Sequence, residues 1–312
     1  MTTQNSTALR YADVLRALVE RDDFLLCLTR RERLLRHPFR TIYYAAVRRL
    51  LYKLYYSMHI LDPHTTAKTF FGESMHCYFP LSFELRKWGI LNDEDMLLSH
   101  FILTHLKEGG VFIDGGAHVG YFSLMASKIV GEEGSVHAFE PTPRVFAILK
   151  ENLGSKPNVH LNNAALWETK GLVRFEDFDS IADVGNCVVE SSVHDGEFLR
   201  QNARNISTIE VPSVDLDSYC AGKNVAPTLV KLDVEGGEYR VLLGAKNVLS
   251  RHPIVVGEVH GHDLGNGSAG KMIRFLGGYG YAPFLIDKSF RLVPFDYRSG
   301  VKGDMANVVF KV

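Results

Sequence analysis

From residue 111 onward the chain alternates between two hydrophobic periods, and this alternation constrains the fold more than any other feature. Short β-rich runs stand at 111–114 ("VFID"), 135–140 ("SVHAFE"), 158–166 ("NVHLNNAAL"), 229–234 ("LVKLDV") and 253–260 ("PIVVGEVH"). Stretches of helical period follow at 119–130, 142–153, 237–249 and 268–277, and "YAPFLID" (281–287) and "MANVVFKV" (305–312) close the chain. Strand–helix repetition of this kind predicts a mostly parallel sheet with helices on both faces. An insertion at roughly 168–213, with a hairpin-like run "GLVRFEDF", separates the third strand from the fourth.

In such a sheet, ligands sit beyond the carboxyl ends of the strands. The loop after the first strand, in "FIDGGAHVGYFS" (112–123), holds three glycines within six residues. Glycine lets backbone amides approach a ligand, and the following helix N-terminus favours negative charge. A nicotinamide site requires G-x-G-x-x-G. Counted from Gly116, the second and third glycine positions hold His118 and Tyr121, so that register fails. The spacing is Asp114-x-Gly116-x-His118-x-Gly120. It matches the D/E-x-G-x-G-x-G loop of class I S-adenosylmethionine (SAM) methyltransferases, with His118 in the middle glycine position. Glu140, 24 residues past Gly116, ends the next strand, where an acid can accept both ribose hydroxyls of an adenosine. Asn163, after the third strand, is placed near the adenine.

The runs "FIDGGAHVGYFS", "HAFEPTPRVFAILKENL", "NAAL", "VPSVDLDSY", "VKLDVEGGEYRVLLGA" and "IVVGEVHG" occur in this order and span roughly residues 65–312. Together they resemble the FkbM family of methyltransferases. The resemblance implies a Rossmann-like class I methyltransferase fold with a seven-stranded, mostly parallel sheet. It implies O-methylation from SAM, typically of a hydroxyl on a sugar, glycan, or glycosylated or polyketide-type metabolite. In that family the middle loop position is commonly occupied by polar residues, asparagine above all. The resemblance does not reach residues 1–60. The division expected is an N-terminal helical or irregular extension over 1–91 and a methyltransferase domain over 92–312.

A sugar hydroxyl is a poor nucleophile, so a general base or a metal ion must take up charge as the methyl group arrives. In "VKLDVEGGE", strand alternation would put Lys231, Asp233 and Glu235 on one side. A lysine and an aspartate inside a buried strand are costly without partners. In "VVGEVHG", Glu258 and His260 alternate on one side. Asp233, Glu258 and His260 are therefore the catalytic candidates. His260 suits proton pickup near neutrality, with Asp233 as the alternative base. The same three residues can hold Mg²⁺ or another divalent ion. The competing structural role for Asp233 and Glu235 is to cap the next helix.

Composition bounds the alternatives. The net charge is −1 with 23% charged residues, which marks neither a nucleic-acid binder nor a disordered chain. An Asp-Pro-Pro-Tyr-like run, common in methylation of nucleic-acid bases, is replaced by "DVEG" (233–236). Two further readings stay open: methylation of another small-molecule nucleophile, and a non-catalytic SAM-fold docking module. Four scattered cysteines form no Cys-x-x-Cys pair, as expected of reduced thiols in a cytoplasmic protein. Residues 1–60 hold eleven Lys/Arg against five Asp/Glu. Within them Phe39, Tyr43, Val47, Leu50 and Leu54 form one helical stripe beside basic residues. Such a helix (near 39–56) can pack on the main domain, or lie on an anionic membrane surface from the cytoplasmic side. The 66–91 segment, with Phe70, Phe71, Tyr78, Phe79 and Trp88, reads as an irregular cover that can stack on a sugar or form an ordinary core seam.

Overall fold

The computed structural model describes residues 6–20, 65–78, 81–177, 187–188, 207–260, 264, 267–297 and 305–312, with scattered helical positions between 32 and 50. In chain order the elements are helix α1 (Ser6–Val19), strands β1 (Thr65–Lys68) and β2 (Ser74–Cys77), and helices α2 (Leu81–Trp88) and α3 (Asp93–His105). Next come β3 (Val111–Gly115), α4 (Tyr121–Val130), β4 (Ser135–Phe139), α5 (Pro143–Leu153), β5 (Val159–Asn162) and β6 (Ala165–Leu166). The insertion holds β7 (Gly171–Asp177), β8 (Cys187–Val188) and β9 (Ser207–Val214), followed by α6 (Leu216–Lys223). The remainder is β10 (Leu229–Leu232), α7 (Glu238–Leu243), α8 (Lys246–Leu249), β11 (Ile254–His260), α9 (Ser268–Gly278), β12 (Ala282–Ile286), β13 (Leu292–Pro294) and β14 (Met305–Lys311).

The central sheet runs β13-β12-β14-β11-β10-β3-β4-β5. The five strands from β11 to β5 are parallel neighbours, and β14 enters antiparallel between β11 and β12. The sheet has eight strands where seven were expected, because the short β13 pairs with the edge of β12. Strand alternation sorts the core onto two faces. Phe112, Val136, Val256 and Val309 pack on the face holding α3, α4 and α5. Ile113, Phe139, Val255 and Val308 pack on the face holding α6 to α9.

Three local expectations change. The helix foreseen over 237–249 is two short helices. A Cβ on Gly244 would come within 2.8 Å of the Glu168 carbonyl, so the chain breaks there against the root of the insertion. The 66–91 cover is ordered: β1 and β2 form an antiparallel hairpin and α2 follows. Phe71, Tyr78 and Trp88 are buried, so these aromatics form a core seam; Phe79 lies outside the described residues. The third strand is split, with β5 in the central sheet and β6 paired to β9 in a four-stranded sheet of order β6-β9-β7-β8.

The N-terminal region divides as well. Ala8, Ala12 and Leu15 of α1 are buried against the main body. On the stripe further on, Phe39, Tyr43 and Leu50 are exposed. Leu54 lies outside the described residues, as does all of 51–64.

Candidate active site

The parallel strands β3, β4 and β10 end side by side, and β11 continues past them. Beyond these ends lies a cavity of about 420 Å³. Its floor is the loop after β3. Gly116 sits at φ +73°, and a Cβ there would fall 1.8 Å from the carbonyl oxygen of Asp233. The glycine is needed first because the end of β10 crosses against it; the Asp233 amide also donates to the Gly115 carbonyl at 3.0 Å. Gly120, at φ 92°, caps α4 and packs against Leu149 and Leu153.

His118 holds φ 52°. Left-handed backbone is rare outside glycine, and histidine is among the residues enriched there. Its amide donates to Glu140 Oε2 at 3.0 Å, and its ring bonds the hydroxyl of Tyr78, which follows β2. The hairpin cover thereby fastens the middle of the loop. Glu140 Oε1 accepts from the Thr142 amide at 2.9 Å. Burial pushes the Glu140 carboxyl up to about 7, against the pull of these amides. Asn163 donates to the carbonyls of Glu140 and Pro141 at 2.8 and 3.0 Å, so it holds the end of β4 in place and does not line the cavity. Asp114 also lies behind the cavity wall. It accepts from the Ser123 hydroxyl at 2.7 Å and faces Lys231 Nζ at 3.5 Å.

Lys231 is the buried cation that the strand pattern made conspicuous. It lies 3.1 Å from Asp233 and its side chain is only 2% exposed. Burial pulls its ammonium down, but the carboxylates of Asp233 and Asp114 outweigh that and leave it raised. Asp233 therefore has its reason to be present: it shares this ammonium with Asp114.

The next acids depart from the alternation argument. β10 ends at Leu232, and the chain turns at once, with Glu235 at φ 53°. The turn, not strand alternation, aims Glu235. Neither Asp233 nor Glu235 caps α7; Glu238 holds the turn instead, accepting from the Val234 amide at 2.9 Å. On β11, Glu258 and His260 do share a side, with Glu258 Oε2 3.1 Å from His260 Nε2. Ligand atoms of Glu235, Glu258 and His260 all lie within 4.8 Å of one another. The structure thus brings Glu235 to the Glu258–His260 pair, with Asp233 near enough for its charge to act on Glu258. Burial and the charge of Asp233 raise the Glu258 carboxyl; burial and the charge of Glu258 raise Glu235 well above the usual carboxylate range.

Two parts of the wall were not legible in the sequence. Asp95, in the first turn of α3, faces this end of the cavity and is raised to about 7 by burial and by Asp233; no local pattern points that turn at the strand ends. Trp167 and Phe175 bring the insertion's sheet over the cavity, and no local signal pairs β6 with β9.

The Methyltransferase FkbM domain matches residues 114–283, more than half of the chain. The chain belongs to the FkbM methyltransferase family. Its fold is that of a class I SAM-dependent methyltransferase, and it is such an enzyme by family. Among similar curated proteins, the 31-O-demethyl-FK506 methyltransferase FkbM of Streptomyces tacrolimicus is 28% identical, covering 57% of this chain and 75% of that protein. The hexuronic acid methyltransferase AglP of Haloferax volcanii is also 28% identical, covering 51% of this chain and 59% of AglP. A solved SAM-dependent O-methyltransferase from Thermotoga maritima aligns at TM-score 0.37 and 15% identity, over 80% of this chain and 78% of that one. The strand order and the family match, not that alignment, carry the fold.

The cavity fits the cofactor that the FkbM family implies. Its volume lies within the range of small-molecule sites. Gly116, Ala117 and His118 present backbone to it, and Pro141, Val145 and Leu166 supply apolar wall. Glu140 lines the cavity at the end of β4, its carboxylate held by the amides of His118 and Thr142. Among the described residues no helix is long and apolar enough to cross a membrane.

Proposed function

We propose that this enzyme transfers a methyl group to a hydroxyl of a sugar, a glycan, or a glycosylated or polyketide-type metabolite. The observation that carries the reading is one continuous cavity, running from the glycine loop and Glu140 to Asp95, Asp233, Glu235 and Glu258. SAM supplies an electrophilic methyl group on a sulfonium. Gly116, His118 and Glu140 hold the adenosine side, with Asp114, Gly120 and Asn163 keeping that loop in shape from behind. The acceptor enters at the far end, between the first turn of α3 and the end of β11. Holding a hydroxyl in line with the methyl carbon supplies much of the rate.

The hydroxyl's proton goes to one of two groups on this chain. His260, beside Glu258, is the first; Asp233, beside Lys231, is the second. The names of FkbM and AglP support oxygen acceptors on a polyketide and on a hexuronic acid. The test is incubation with methyl-labelled SAM and a panel of uronic acids, neutral sugars and macrolactones. Label on an ether oxygen, lost in Glu140→Ala, is the expected result. Transfer to nitrogen would establish a different nucleophile. Failure to bind S-adenosylhomocysteine at all would leave the non-catalytic docking module.

The exposure of Phe39, Ile42 and Tyr43 supports a second, separable role for the N-terminal region. We infer that this basic segment rests on anionic lipid at the cytoplasmic face of a membrane. Co-sedimentation with vesicles rich in phosphatidylglycerol, but not with phosphatidylcholine alone, is the expected result. Equal sedimentation with neither would remove the idea.

A further inference from the structure

The acceptor end of the cavity carries a cluster that the transfer reading uses but does not explain. Glu258 is 7% exposed, yet no hydrogen bond of ordinary geometry reaches its Oε2 among the described residues. Its ionic partner, His260 Nε2, stands 3.1 Å away. Glu235 lies beside them in left-handed backbone at φ 53°, a conformation that persists only where its surroundings hold it. A buried and a partly buried carboxylate therefore face each other across a small gap, with an imidazole at its edge. The buried ammonium nearby, Lys231, is already committed to Asp233 at 3.1 Å and Asp114 at 3.5 Å. A burial this rich in negative charge is costly unless something positive completes it.

We propose that Glu235, Glu258 and His260 form a divalent-cation site of the Mn²⁺/Mg²⁺ class, with open positions facing the acceptor. The proposal rests on the reading that this end of the sheet is where the acceptor's oxygen meets the methyl group. The spacing suits an ion. Ligand atoms about 2.1 Å from a metal stand about 3.0 Å apart when adjacent, close to the 3.1 Å between Glu258 and His260. The whole triad falls within 4.8 Å, so small side-chain rotations bring the third ligand onto the same ion. The donor set matters as much as the distances. Two carboxylate oxygens favour a hard ion, and one imidazole extends the set toward manganese. Three protein ligands leave positions for the acceptor's hydroxyl and water, the arrangement of a catalytic rather than a structural centre. With the ion in place His260 is a ligand, and Asp233 is left as the base. The set holds Glu235 where the sequence candidates were Asp233, Glu258 and His260, and it is the turn after β10 that aims Glu235 there.

The test uses the full chain saturated with S-adenosylhomocysteine and titrated with Mn²⁺, free Mn²⁺ being read by its electron paramagnetic resonance signal. One Mn²⁺ per chain, displaced by excess Mg²⁺, is expected. Glu235→Gln and Glu258→Gln should each weaken it at least about tenfold, while Glu133→Gln, at an exposed acid far along the chain, leaves it unchanged. Retained S-adenosylhomocysteine binding shows that each variant is folded. A variant that loses it is set aside in favour of pulsed measurements on the wild type, which should show a directly bound imidazole nitrogen. Stoichiometric Mn²⁺ without nitrogen coupling, binding indifferent to both glutamine variants, or no Mn²⁺ bound at all would overturn the metal site and leave the methyl-transfer reading intact. Failure of the wild type to bind S-adenosylhomocysteine would bring down both.

Discussion

At the loop after β3 most polar atoms are held by the chain itself, although Asp114 Oδ1 accepts no hydrogen bond of ordinary geometry among the described residues. Glu140 takes the amides of His118 and Thr142, Asp114 takes Ser123 and faces Lys231, and Asn163 ties down the end of β4. At the ends of β10 and β11 carboxylates gather: among the described residues Glu258 Oε2 accepts no hydrogen bond of ordinary geometry, and partly buried Glu235 stands beside it. The first region is built before any ligand arrives, as expected where one cofactor serves a whole family. The second concentrates carboxyls whose burial and mutual repulsion raise Glu235 and Glu258. The difference separates a part preorganised for binding from a part poised for chemistry.

The contrast breaks most severely at Lys231, the cation shared by both ends. Lys231→Met should destabilise the protein by about 3 kcal/mol or more, because it strands two carboxylates. Chemical denaturation at neutral pH measures this; a loss below about 1 kcal/mol would show that these ion pairs contribute little. Next comes Gly116→Ala. Its Cβ meets the Asp233 carbonyl at 1.8 Å, so the loop must move, at a cost of about 2 kcal/mol. S-adenosylhomocysteine affinity should fall with it, as read by calorimetry.

Smaller effects sharpen the same contrast. His118→Asn preserves a residue that tolerates left-handed backbone and should hold cofactor affinity within about threefold, whereas His118→Val should cost about tenfold. Equal losses in both would mean that the ring's bond to Tyr78, not the backbone, sets the loop.

The last effect is a pH dependence, spread over several pH units. Glu140 rises from 4.5 to about 7 on folding. A raised carboxyl contributes stability that is complete below about 4.5 and is lost as pH climbs through about 7. Relative to Glu140→Gln, the ligand-free wild type should therefore lose stability between those limits, by at most about 1.4 kcal/mol per pH unit. Parallel melting curves of the two proteins from pH 4.5 to 8 would show a flat difference if Glu140 is ionised throughout.

Much of the cofactor end was legible because it depends on short-range rules. The register of Asp114, Gly116 and Gly120, and the acid 24 residues on, follow from a strand, a turn and a helix in succession. Even there, the tasks were divided by packing. Gly116 answers to the backbone of β10, Gly120 to Leu149 and Leu153, and Asp114 to Lys231. The acceptor end was legible only in part. Glu258 and His260 share a side because β11 persists to His260. Asp233 and Glu235 part company because β10 stops at Leu232.

By itself, the sequence determined that this chain alternates strand and helix, that its first loop is a class I methyltransferase loop, and that acids and a histidine gather at two strand ends. Those features are periodic or contiguous, so local propensity suffices to write them. Tertiary structure alone decided that Tyr78 fastens His118, that the insertion's sheet covers the cavity with Trp167, that Asp95 looks across at Asp233, and that Glu235 completes the Glu258–His260 pair. Each joins residues far apart in the chain or aims a side chain through a single backbone turn. Their positions are set by how the layers pack, and neither periodicity nor spacing records that.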